Sequence, residues 1–515
     1  MASSERNSQT STARVDPTRG VEPALALRNE QQPFLASLLI GGEACPAEKD
    51  AVFERRSPVS GELATIAAAA SADDVQRAAR AAAAAFPGWS RTSPSERRRL
   101  LEAAARRLME RKADFTAAML RETGATEAWC SFNVELGSEI FIDAAGMTTM
   151  VAGSMVPSNR PGVQSFAMRQ PAGVCLAIAP WNAPIILGVR SIAMALACGN
   201  TVIFKASELC PATHRLIGEV LTEAGFPAGV VNVISNAPAD ASLVVEALIA
   251  HPVVRRVNFT GSTRVGRIVA QVAARHLKRC LLELGGKAAF LVLDDADIGE
   301  AVKAAAFGAY FNQGQICMST ERIIVMDEVA EEFVGRLAEK VATLKSGDPA
   351  RGIFPIGAMI TAESARRVRS LVEDAIGKGA TLLAGGEAHD AFMDATLIDN
   401  VTRSMRIYRE ESFGPVSAII RVSSVEEAIT VANDCEYGLS GAVFGRDIGR
   451  ALEVASRIES GICHINSATV ADEPQVPFGG VKASGYGRFG GAAALDEFTE
   501  LRWVTLSTMP GSYPL

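Results

Sequence analysis

Beyond Gln170 the chain alternates short runs of β-branched and other apolar residues with amphipathic segments of helical length. Strands are predicted at residues 174–178, 201–204, 230–233 and 254–259, and helices between them at residues 185–198, 214–224 and 264–274. Parallel strands need a crossover connection, which is usually a helix, so this alternation is typical of βαβ units. The pattern therefore predicts an α/β fold with a parallel sheet of the nucleotide-binding type.

The rest of the chain divides into regions of different pattern. Residues 38 to about 150 are predicted to be mostly helical, with helices that begin near Ser71 and Ser93 and a break at residues 87–89. A second alternating region runs from about residue 289 to 465 and is long enough to form its own domain; its strands are predicted at residues 322–325, 417–420 and 441–444. An apolar alternating strand at residues 498–506 has no obvious partner nearby, so we expect it to complete a sheet elsewhere, for example on another subunit.

Charge and cysteine content argue against several classes of function. The 515 residues carry 51 Lys and Arg against 58 Asp and Glu, which gives a net charge of -7, and there are only 5 His. Because no basic field is available to neutralise phosphates, nucleic-acid binding is not expected. The 9 cysteines are scattered without a CxxC pair, so we expect no zinc site and no disulfide framework, and a reducing compartment such as the cytoplasm fits best.

Two segments could be taken for targeting or membrane sequences, and neither fits. The first 33 residues are rich in Ser, Thr and Gln and contain no hydrophobic segment, so they predict a disordered leader rather than a secretory signal. The longest apolar stretch, residues 171–189, carries Pro180, Asn182 and Pro184 at its centre, which a membrane helix would have to accommodate in lipid. We interpret this stretch as a strand, a loop and a helix, and we expect no membrane partner.

Cys317 and Glu283 are candidate reactive groups. Cys317 lies between a predicted helix and a predicted strand, where a loop can present a thiol. The alternative is a buried cysteine that acts as a small hydrophobe, although Gly314 permits close backbone approach and the neighbouring Gln313 and Gln315 are poor core material. Glu283 ends an apolar strand and precedes two glycines. It could act as a general base if its pKa is raised, or serve only as a cap or a salt-bridged strand end.

Three turns that follow predicted strands present polar groups. Asn182 starts a helix and is either an amide donor or only an N-cap. Gly261 and Ser262 open a helix whose N-terminus is a potential phosphate seat, although this turn is not the GxGxxG fingerprint and many such turns are simple connections. Lys205 and Glu208 follow another strand, where a carboxylate can accept hydrogen bonds from ribose hydroxyls or form a solvated ion pair.

The order and spacing of these motifs resemble the aldehyde dehydrogenase superfamily over about residues 34–515. The motifs are Pro180-Trp-Asn182, Lys205 to Glu208, Phe259-Thr-Gly-Ser-Thr, Glu283-Leu-Gly-Gly-Lys287, Gly314-Gln-Ile-Cys317, Glu410-Glu-Ser-Phe-Gly-Pro415 and Pro477-Phe-Gly-Gly480. Two longer stretches, residues 276–283 and 314–322, are similar to bacterial dehydrogenases of aromatic aldehydes, the salicylaldehyde, vanillin and benzaldehyde group.

The resemblance implies a mechanism for three residues. Cys317 would attack an aldehyde, and Asn182 together with the Cys317 backbone N–H would stabilise the resulting oxyanion. Hydride transfer to a nicotinamide would leave a thioester, and Glu283 would activate the water that hydrolyses it. Because a free thiol is only a few per cent thiolate at neutral pH, the site must either lower the pKa of Cys317 or remove its proton during attack. The presence of Glu283 favours a free carboxylic acid as the product.

The resemblance also implies the cofactor contacts. Near the pyrophosphate it places Gly261 and Ser262, at the adenosine ribose Lys205 and Glu208, and around the nicotinamide ribose and ring Glu411 and Phe413. Further cofactor residues would be Pro180, Trp181, Gly266, Leu284 and Gly285. Glu208 would repel a 2′-phosphate, so NAD is favoured, although NADP is possible because Lys205 could partly offset the repulsion. No metal is implied.

The implied fold has three parts. They are an α/β cofactor-binding domain (residues 34–151 and 171–284), an α/β catalytic domain (residues 285–487) and a small β oligomerisation element (residues 152–170 and 488–515), in a homodimer or homotetramer. The implied substrate is an aldehyde, and Ile316 and Met318 beside Cys317 suit an apolar, aryl-binding pocket.

Three alternatives stay open for the function. The first is a dehydrogenase of aliphatic aldehydes or semialdehydes with the same mechanism. The second is a coenzyme A acylating enzyme, which Glu283 argues against. The third is a non-catalytic binding protein on the same fold, which the presence of Cys317, Glu283 and Asn182 argues against.

Overall fold

A computed structural model gives the structure of the protein for residues 32–349, 351–511 and 513. The predicted disordered leader, residues 1–33, lies almost entirely outside the described residues. From Pro33 to Leu515 the chain forms one unit by its internal contacts.

The region before residue 150 contains strands that the sequence pattern did not predict. Five strands come first: β1 (Phe34–Ala36), β2 (Leu38–Ile40), β3 (Glu43–Cys45), β4 (Val52–Arg56) and β5 (Leu63–Ala68). Four helices follow: α1 (Ala72–Trp89), α2 (Pro94–Glu110), α3 (Lys112–Thr123) and α4 (Glu127–Met147). The prediction of a mostly helical segment from residue 38 is therefore wrong before α1. In β4, buried and exposed residues alternate, which is the period of a strand.

The predicted helix starts are confirmed, but the predicted break is misplaced. The side chains of Ser71 and Ser93 accept hydrogen bonds from backbone N–H groups in the first turns of α1 and α2. Helix α1 continues through Pro87 to Trp89 instead of ending before residue 87. Pro87 lies so close to the helix end that it removes few helical hydrogen bonds. The N–H of Ser90 still donates to the Phe86 carbonyl at 2.9 Å and closes the last turn.

The first alternating region forms a parallel sheet, as predicted. After β6 (Ser154–Met155) and β7 (Val163–Pro171), its elements are β8 (Val174–Ile178), α5 (Pro184–Ala197), β9 (Thr201–Lys205), α6 (Pro211–Glu223), β10 (Val231–Ile234), α7 (Ala241–Ala250), β11 (Val254–Thr260), α8 (Thr263–Arg275) and β12 (Arg279–Glu283). Its parallel strands lie in the order β12-β11-β8-β9-β10, and antiparallel β2 and β3 extend the sheet beyond β10. Helix α7 was not predicted.

The second alternating region forms a separate sheet. Its elements are β13 (Ala288–Val292), α9 (Ile298–Tyr310), β14 (Thr320–Met326), α10 (Asp327–Ala342), α11 (Ala362–Gly377), β15 (Thr381–Ala384), β16 (Ala388–His389), β17 (Phe392–Met393), β18 (Thr396–Asp399), α12 (Arg406–Arg409), β19 (Val416–Val422), α13 (Val425–Asn433), β20 (Tyr437–Gly438), β21 (Ser440–Phe444), α14 (Ile448–Ser456) and β22 (Ile462–Ile465). The strand order is β15-β18-β19-β14-β13-β21-β22, and all neighbours are parallel except β15 and β18.

The last strand finds its partner in its own chain. The remaining elements are β23 (Val481–Lys482), β24 (Gly485–Tyr486), α15 (Ala493–Phe498) and β25 (Thr499–Ser507). Strand β25 pairs with β7 in antiparallel register, from Thr499 opposite Pro171 to Ser507 opposite Val163, and β6 lies on the other side of β7. The partner lies about 330 residues earlier in the sequence, so no local pattern could reveal it.

The carboxyl edge of the first sheet gathers polar residues. Residues 180–182 follow β8, Lys205 ends β9, Gly261 follows β11 and Glu283 ends β12. These four strands are parallel neighbours, so their carboxyl ends meet at one edge. The connections leave β8 toward β9 on one side, and β11 lies on its other side, which is the kind of switch point where α/β sheets bind ligands.

Candidate active site

The loop that carries Cys317 is held by unusual backbone conformations. It connects α9 to β14, and its residues Asn312, Gln313 and Gly314 all have positive φ angles, of 48°, 57° and 65°. A Cβ atom at Gly314 would lie 2.2 Å from the carbonyl oxygen of Gly414, so only glycine fits there. The side chain of Cys317 is partly exposed at the end of this turn.

The two glutamines of the loop are buried, although their polarity suggested an open loop. Gln313 Nε2 donates to the Ala358 carbonyl at 2.8 Å, and the Ile360 N–H donates to Gln315 Oε1 at 3.0 Å. Hydrogen bonds of this kind remove most of the cost of burying an amide. The glutamines therefore anchor the loop to the segment around residues 358–360.

Asn182 lies against the same loop. Its Nδ2 group donates to the Gln315 carbonyl at 3.0 Å, which occupies one of its two protons. The backbone carbonyl of Asn182 accepts hydrogen bonds from Trp129 Nε1 at 2.9 Å and from Asn312 Nδ2 at 3.0 Å. The N-cap of α5 is Ala183, without a side-chain hydrogen bond, so Asn182 is not a helix cap. Its second amide proton is available to a bound molecule.

Glu283 is a buried carboxyl group beside Cys317. Its Oε1 atom has no hydrogen-bond partner among the described residues. Burial raises the pKa of Glu283 to about 7, while the neighbouring thiol of Cys317 and the positive charge of Arg190 lower it in part. Burial raises the pKa of the Cys317 thiol well above its usual value, and the negative charge of Glu283 raises it further. The thiol is therefore held neutral beside a group that can accept its proton near neutral pH.

An ion pair that sequence reasoning missed lies close to Glu283. Arg190 Nη2 contacts both carboxylate oxygens of Asp472, at 2.7 and 2.6 Å, and both side chains are nearly buried. The guanidinium also stacks over the ring of Phe478 at 4.5 Å. No signal in the sequence could have paired two residues that lie 282 positions apart.

A cluster of aromatic rings borders Asn182, and sequence reasoning missed it as well. Trp129, whose Nε1 holds the Asn182 carbonyl, packs edge-on against Phe311 at 4.9 Å and stacks with Phe132 at 5.6 Å. Phe307 stacks on Phe311 at 4.8 Å. The side chains of Phe132 and Phe307 are partly exposed, so the cluster reaches the surface.

The turn after β11 has the features of a phosphate seat. Ser262 caps α8 by accepting the Val265 N–H at 3.4 Å, and the Gly261 N–H donates to the Glu283 carbonyl at 3.0 Å. A Cβ at Gly266 would lie 2.3 Å from Leu284, so the absence of a side chain lets α8 approach the segment after β12. The positive end of the α8 dipole thus lies at the carboxyl edge of the sheet.

Lys205 and Glu208 form an ion pair that is mostly buried rather than solvated. Lys205 Nζ contacts Glu208 Oε1, and Asn236 Nδ2 donates to the same oxygen at 3.0 Å. The lysine is buried and the glutamate is partly exposed. A carboxylate whose charge Lys205 partly offsets therefore remains partly exposed just after β9.

Glu411 and Phe413 lie beside the glycines that follow Glu283. The Gly286 N–H donates to Glu411 Oε1 at 2.7 Å, and a Cβ at Gly285 would come within 2.8 Å of the same carboxyl group. Burial raises the pKa of Glu411 to about 8. The ring of Phe413 meets that of Trp181 edge-on at 5.8 Å, in the loop that Pro180 begins.

These groups fit a dinucleotide. The helix N-terminus at Gly261 can receive a pyrophosphate, the outward carboxylate of Glu208 can accept ribose hydroxyls, and the Trp181–Phe413 pair can border a planar ring. Both glycines, Gly266 and Gly285, leave space where a side chain would collide with its neighbours. The predicted catalytic and cofactor residues thus lie along the edge from β9 to β12 and on the loops that contact it, whereas Ile316 and Met318, which were predicted to suit an aryl pocket, are buried in the core.

Other kinds of site find no support among the described residues. All nine cysteines, which lie within the described ranges, are unpaired. No group of three or more His, Cys, Asp or Glu side chains in the described part of the chain could hold a metal ion. No described helix is both long and apolar enough to cross a membrane.

The fold and the site define a class of protein that comparison identifies. The chain matches the model of the Aldehyde dehydrogenase family over residues 45–504, and it belongs to that family. It is 58% identical to the vanillin dehydrogenase of Pseudomonas fluorescens over 478 residues, which are 93% of this chain and 99% of that protein.

Two solved structures place the fold in the same family. One is a salicylaldehyde dehydrogenase from Pseudomonas putida G7 complexed with salicylaldehyde, with a TM-score of 0.92 and 48% identity over 94% of this chain and 100% of that one. The other is a betaine aldehyde dehydrogenase from Staphylococcus aureus in complex with NAD+, with a TM-score of 0.89 and 32% identity over 93% of this chain and 95% of that one.

Proposed function

We propose that the protein oxidises aldehydes, aromatic ones by preference, to free carboxylic acids with NAD+ as the electron acceptor. The observation that carries the proposal is the buried carboxyl group of Glu283, with one unpartnered oxygen, beside the Cys317 thiol. The Asn182 side chain is bound to the loop that carries Cys317 by its hydrogen bond to the Gln315 carbonyl. A thiol, a base and an amide donor in one place are the parts that acyl transfer requires.

Bond formation begins at the sulfur of Cys317. As the C–S bond forms with the aldehyde carbon, the thiol proton passes to the Glu283 carboxylate, because the raised pKa of the thiol leaves little thiolate beforehand. The electron pair of the carbonyl moves to its oxygen. That oxyanion accepts hydrogen bonds from the free Nδ2 proton of Asn182 and from the Cys317 backbone N–H. One such donor is worth about 3 kcal/mol in the transition state.

Oxidation and hydrolysis complete the cycle. A nicotinamide cofactor held beside Glu411 and Phe413 would supply the hydride acceptor. The former aldehyde carbon, once it has given up its hydrogen with two electrons, would be the carbonyl carbon of a thioester on Cys317. Glu283, after releasing its proton to solvent, takes a proton from a water molecule that attacks this carbonyl. The C–S bond breaks, the sulfur regains a proton, and the carboxylic acid leaves. Since Glu283 must be ionised to act, activity is expected to fall as the pH drops below about 7.

NAD+ is proposed in preference to NADP+. The Glu208 carboxylate can accept the two ribose hydroxyls of NAD+ but would lie against the 2′-phosphate of NADP+. Lys205 is already committed to Glu208, so it offsets part of the carboxylate charge without leaving its buried position. A relative in the family, the betaine aldehyde dehydrogenase, was solved in complex with NAD+.

An aromatic substrate is proposed from two observations. Relatives that cover almost the whole chain are named for vanillin and salicylaldehyde. Trp129, which donates to the Asn182 backbone carbonyl, belongs to a cluster with the rings of Phe132, Phe307 and Phe311, and this cluster can pack against an aryl group. An aliphatic aldehyde or semialdehyde dehydrogenase would use the same Cys317 and Glu283 and would differ only in this aromatic lining.

The proposal is tested by following reduced cofactor with salicylaldehyde, vanillin, benzaldehyde, hexanal and succinic semialdehyde, each with NAD+ and NADP+. We expect kcat/KM for the aryl substrates to exceed that for hexanal at least about tenfold, which corresponds to roughly 1.4 kcal/mol of ring packing. Equal values for hexanal and the aryl aldehydes would remove the aromatic preference and leave aldehyde oxidation in place. No reduction of either cofactor by any aldehyde would refute the function.

We also propose the larger organisation of the molecule. The sheet around β8 would form the cofactor-binding domain (residues 34–151 and 171–284), and the sheet around β14 the catalytic domain (residues 285–487). The β6-β7-β25 sheet (residues 152–170 and 488–515) would join subunits in a homodimer or homotetramer in the cytoplasm. Its support is a set of exposed apolar side chains: Met155, Met168, Leu501, Trp503 and Leu506. Sedimentation of the wild type against Trp503→Glu tests it, and a monomeric wild type would contradict it.

A further inference from the structure

Glu321 is a buried acid that the mechanism above does not use. It is the second residue of β14, four positions after Cys317, and its side chain pairs with Lys287 Nζ at 2.5 Å. The side chains of Lys287 and Glu321 are 0% and 4% exposed. An ion pair this deep gives little net stability, because desolvation of both charges offsets their attraction. Its presence therefore calls for another explanation.

The carboxylate of Glu321 binds the backbone of a distant loop. The Ser412 N–H donates to both of its oxygens, at 2.9 and 2.8 Å, and the Phe413 N–H donates to Oε1 at 3.0 Å. Lys287 Nζ donates in addition to Ser412 Oγ at 3.2 Å. The pair thus grips two consecutive residues that lie more than 90 positions further along the chain.

The loop at residues 411–413 has a strained backbone conformation. Phe413 has a φ angle of 45°, in the left-handed region, which is unfavourable for a residue with a bulky side chain. This turn directs the preceding Glu411 to the Gly286 N–H and its own ring to Trp181. Without the three hydrogen bonds to Glu321, the backbone could relax and both contacts would loosen.

We propose that Glu321, charge-balanced by Lys287, is a positioning residue that preforms the nicotinamide half of the cofactor site by holding the Glu411–Phe413 turn. The assignment rests on the proposed function, because it uses the roles given there to Glu411 and Phe413. Since Cys317 ends the loop that leads into β14 and Glu321 is the second residue of that strand, one short stretch of chain carries both the nucleophile and the residue that holds the nicotinamide side of the site. In the described part of the chain, the side-chain hydrogen bonds of this pair go to Ser412 and Phe413 and not to the adenosine half at Glu208 and the α8 N-terminus.

Calorimetric titration with two ligands separates positioning from general damage. NAD+ spans both halves of the site, whereas AMP probes only the adenosine half. Glu321→Gln keeps one acceptor oxygen, and the double variant Lys287→Met with Glu321→Met removes both charges without leaving either unpaired. Glu328→Gln, an exposed carboxylate two residues after β14, is the matched control.

We expect the Kd for NAD+ to rise at least about fivefold in the double variant and less in Glu321→Gln, since hydrogen bonds to a charged group are stronger than those between neutral groups. The Kd for AMP, the KM for the aldehyde and the rate of Cys317 alkylation by iodoacetamide should stay within about twofold, and Glu328→Gln should match the wild type. An unchanged Kd for NAD+ in the double variant, or an equal loss for AMP, would overturn the assignment while the wild type stays active. A wild type that neither binds NAD+ nor oxidises aldehydes would overturn the proposed function and this assignment together.

Discussion

Two buried carboxyl groups differ in their surroundings: Glu321, four residues after Cys317 in the sequence, and Glu283, beside the Cys317 thiol. Glu321 is fully engaged by Lys287 and by the backbone N–H groups of Ser412 and Phe413. Glu283 keeps one oxygen without a partner among the described residues, and burial raises its pKa to about 7. A charge with a complete set of partners is fixed in place, whereas one left short of partners can exchange protons and meet water. The difference assigns structure to the first carboxylate and chemistry to the second.

Removal of the Cys317 thiol should have the largest effect on activity, because both carboxylates would remain while the nucleophile would be lost. Cys317→Ala is expected to lower kcat at least about 10⁴-fold, because neither carboxylate can replace the nucleophile. The measurement is NADH formation with an aryl aldehyde. Cys280→Ala, on the strand that ends in Glu283, is the control and should stay within about twofold. A Cys317→Ala enzyme with appreciable turnover would place the nucleophile elsewhere.

Substitutions in the ion pair near Glu283 should change the pKa of Glu283 in either direction. Arg190 lowers the pKa of Glu283 and Asp472 raises it. Arg190→Leu should therefore move the acidic limb of the kcat–pH profile to higher pH, and Asp472→Asn should move it to lower pH, by roughly one unit each. Loss of folding alone would not produce shifts of opposite sign. Shifts in the same direction, or none, would show that Glu283 does not set this limb.

A third carboxylate, Glu208, extends the comparison between paired and unpaired acids. Its substitution is expected to have the smallest effect of the three predictions. Like Glu321 it is paired with a lysine, but it is partly exposed. Glu208→Ala should shift the ratio of kcat/KM for NAD+ over NADP+ toward NADP+ by roughly two- to fivefold, since a partly screened charge interaction is worth up to about 1 kcal/mol. A ratio equal to that of the wild type would remove Glu208 from the ribose.

Local pattern was enough to predict the parallel sheets and the edge that gathers the polar residues. Strand β8 was predicted to the residue, and β9 and β11 to within one residue at their ends, because these runs are rich in β-branched and aromatic residues. Strands β1 to β3 were missed, since three residues are too few to show a period. The pairing of β25 with β7 was beyond local pattern for the opposite reason, its long separation in sequence.

The reacting groups could be named from motifs, but not the groups that surround them. Cys317, Glu283 and Asn182 stand in recognisable local sequences. Arg190 gives no such signal, since it lies within an apolar helix and its partner is 282 residues away. Glu321 gives none either, because its role appears only when β14 meets the loop at residues 412–413. The electrostatic setting of a site depends on tertiary contacts between residues that the sequence keeps apart.

The direct test of the central claim, that Glu283 is the base left free for hydrolysis, is a pre-steady-state measurement on Glu283→Gln. Rapid mixing with NAD+ and an aryl aldehyde should give at most one equivalent of NADH per active site, formed more slowly than in the wild type because the amide cannot take the thiol proton. Steady turnover should then fall about 10²- to 10⁴-fold, with the acyl group retained on Cys317 in the intact mass. Steady turnover at the wild-type rate, with no acyl-enzyme accumulating, would contradict the account.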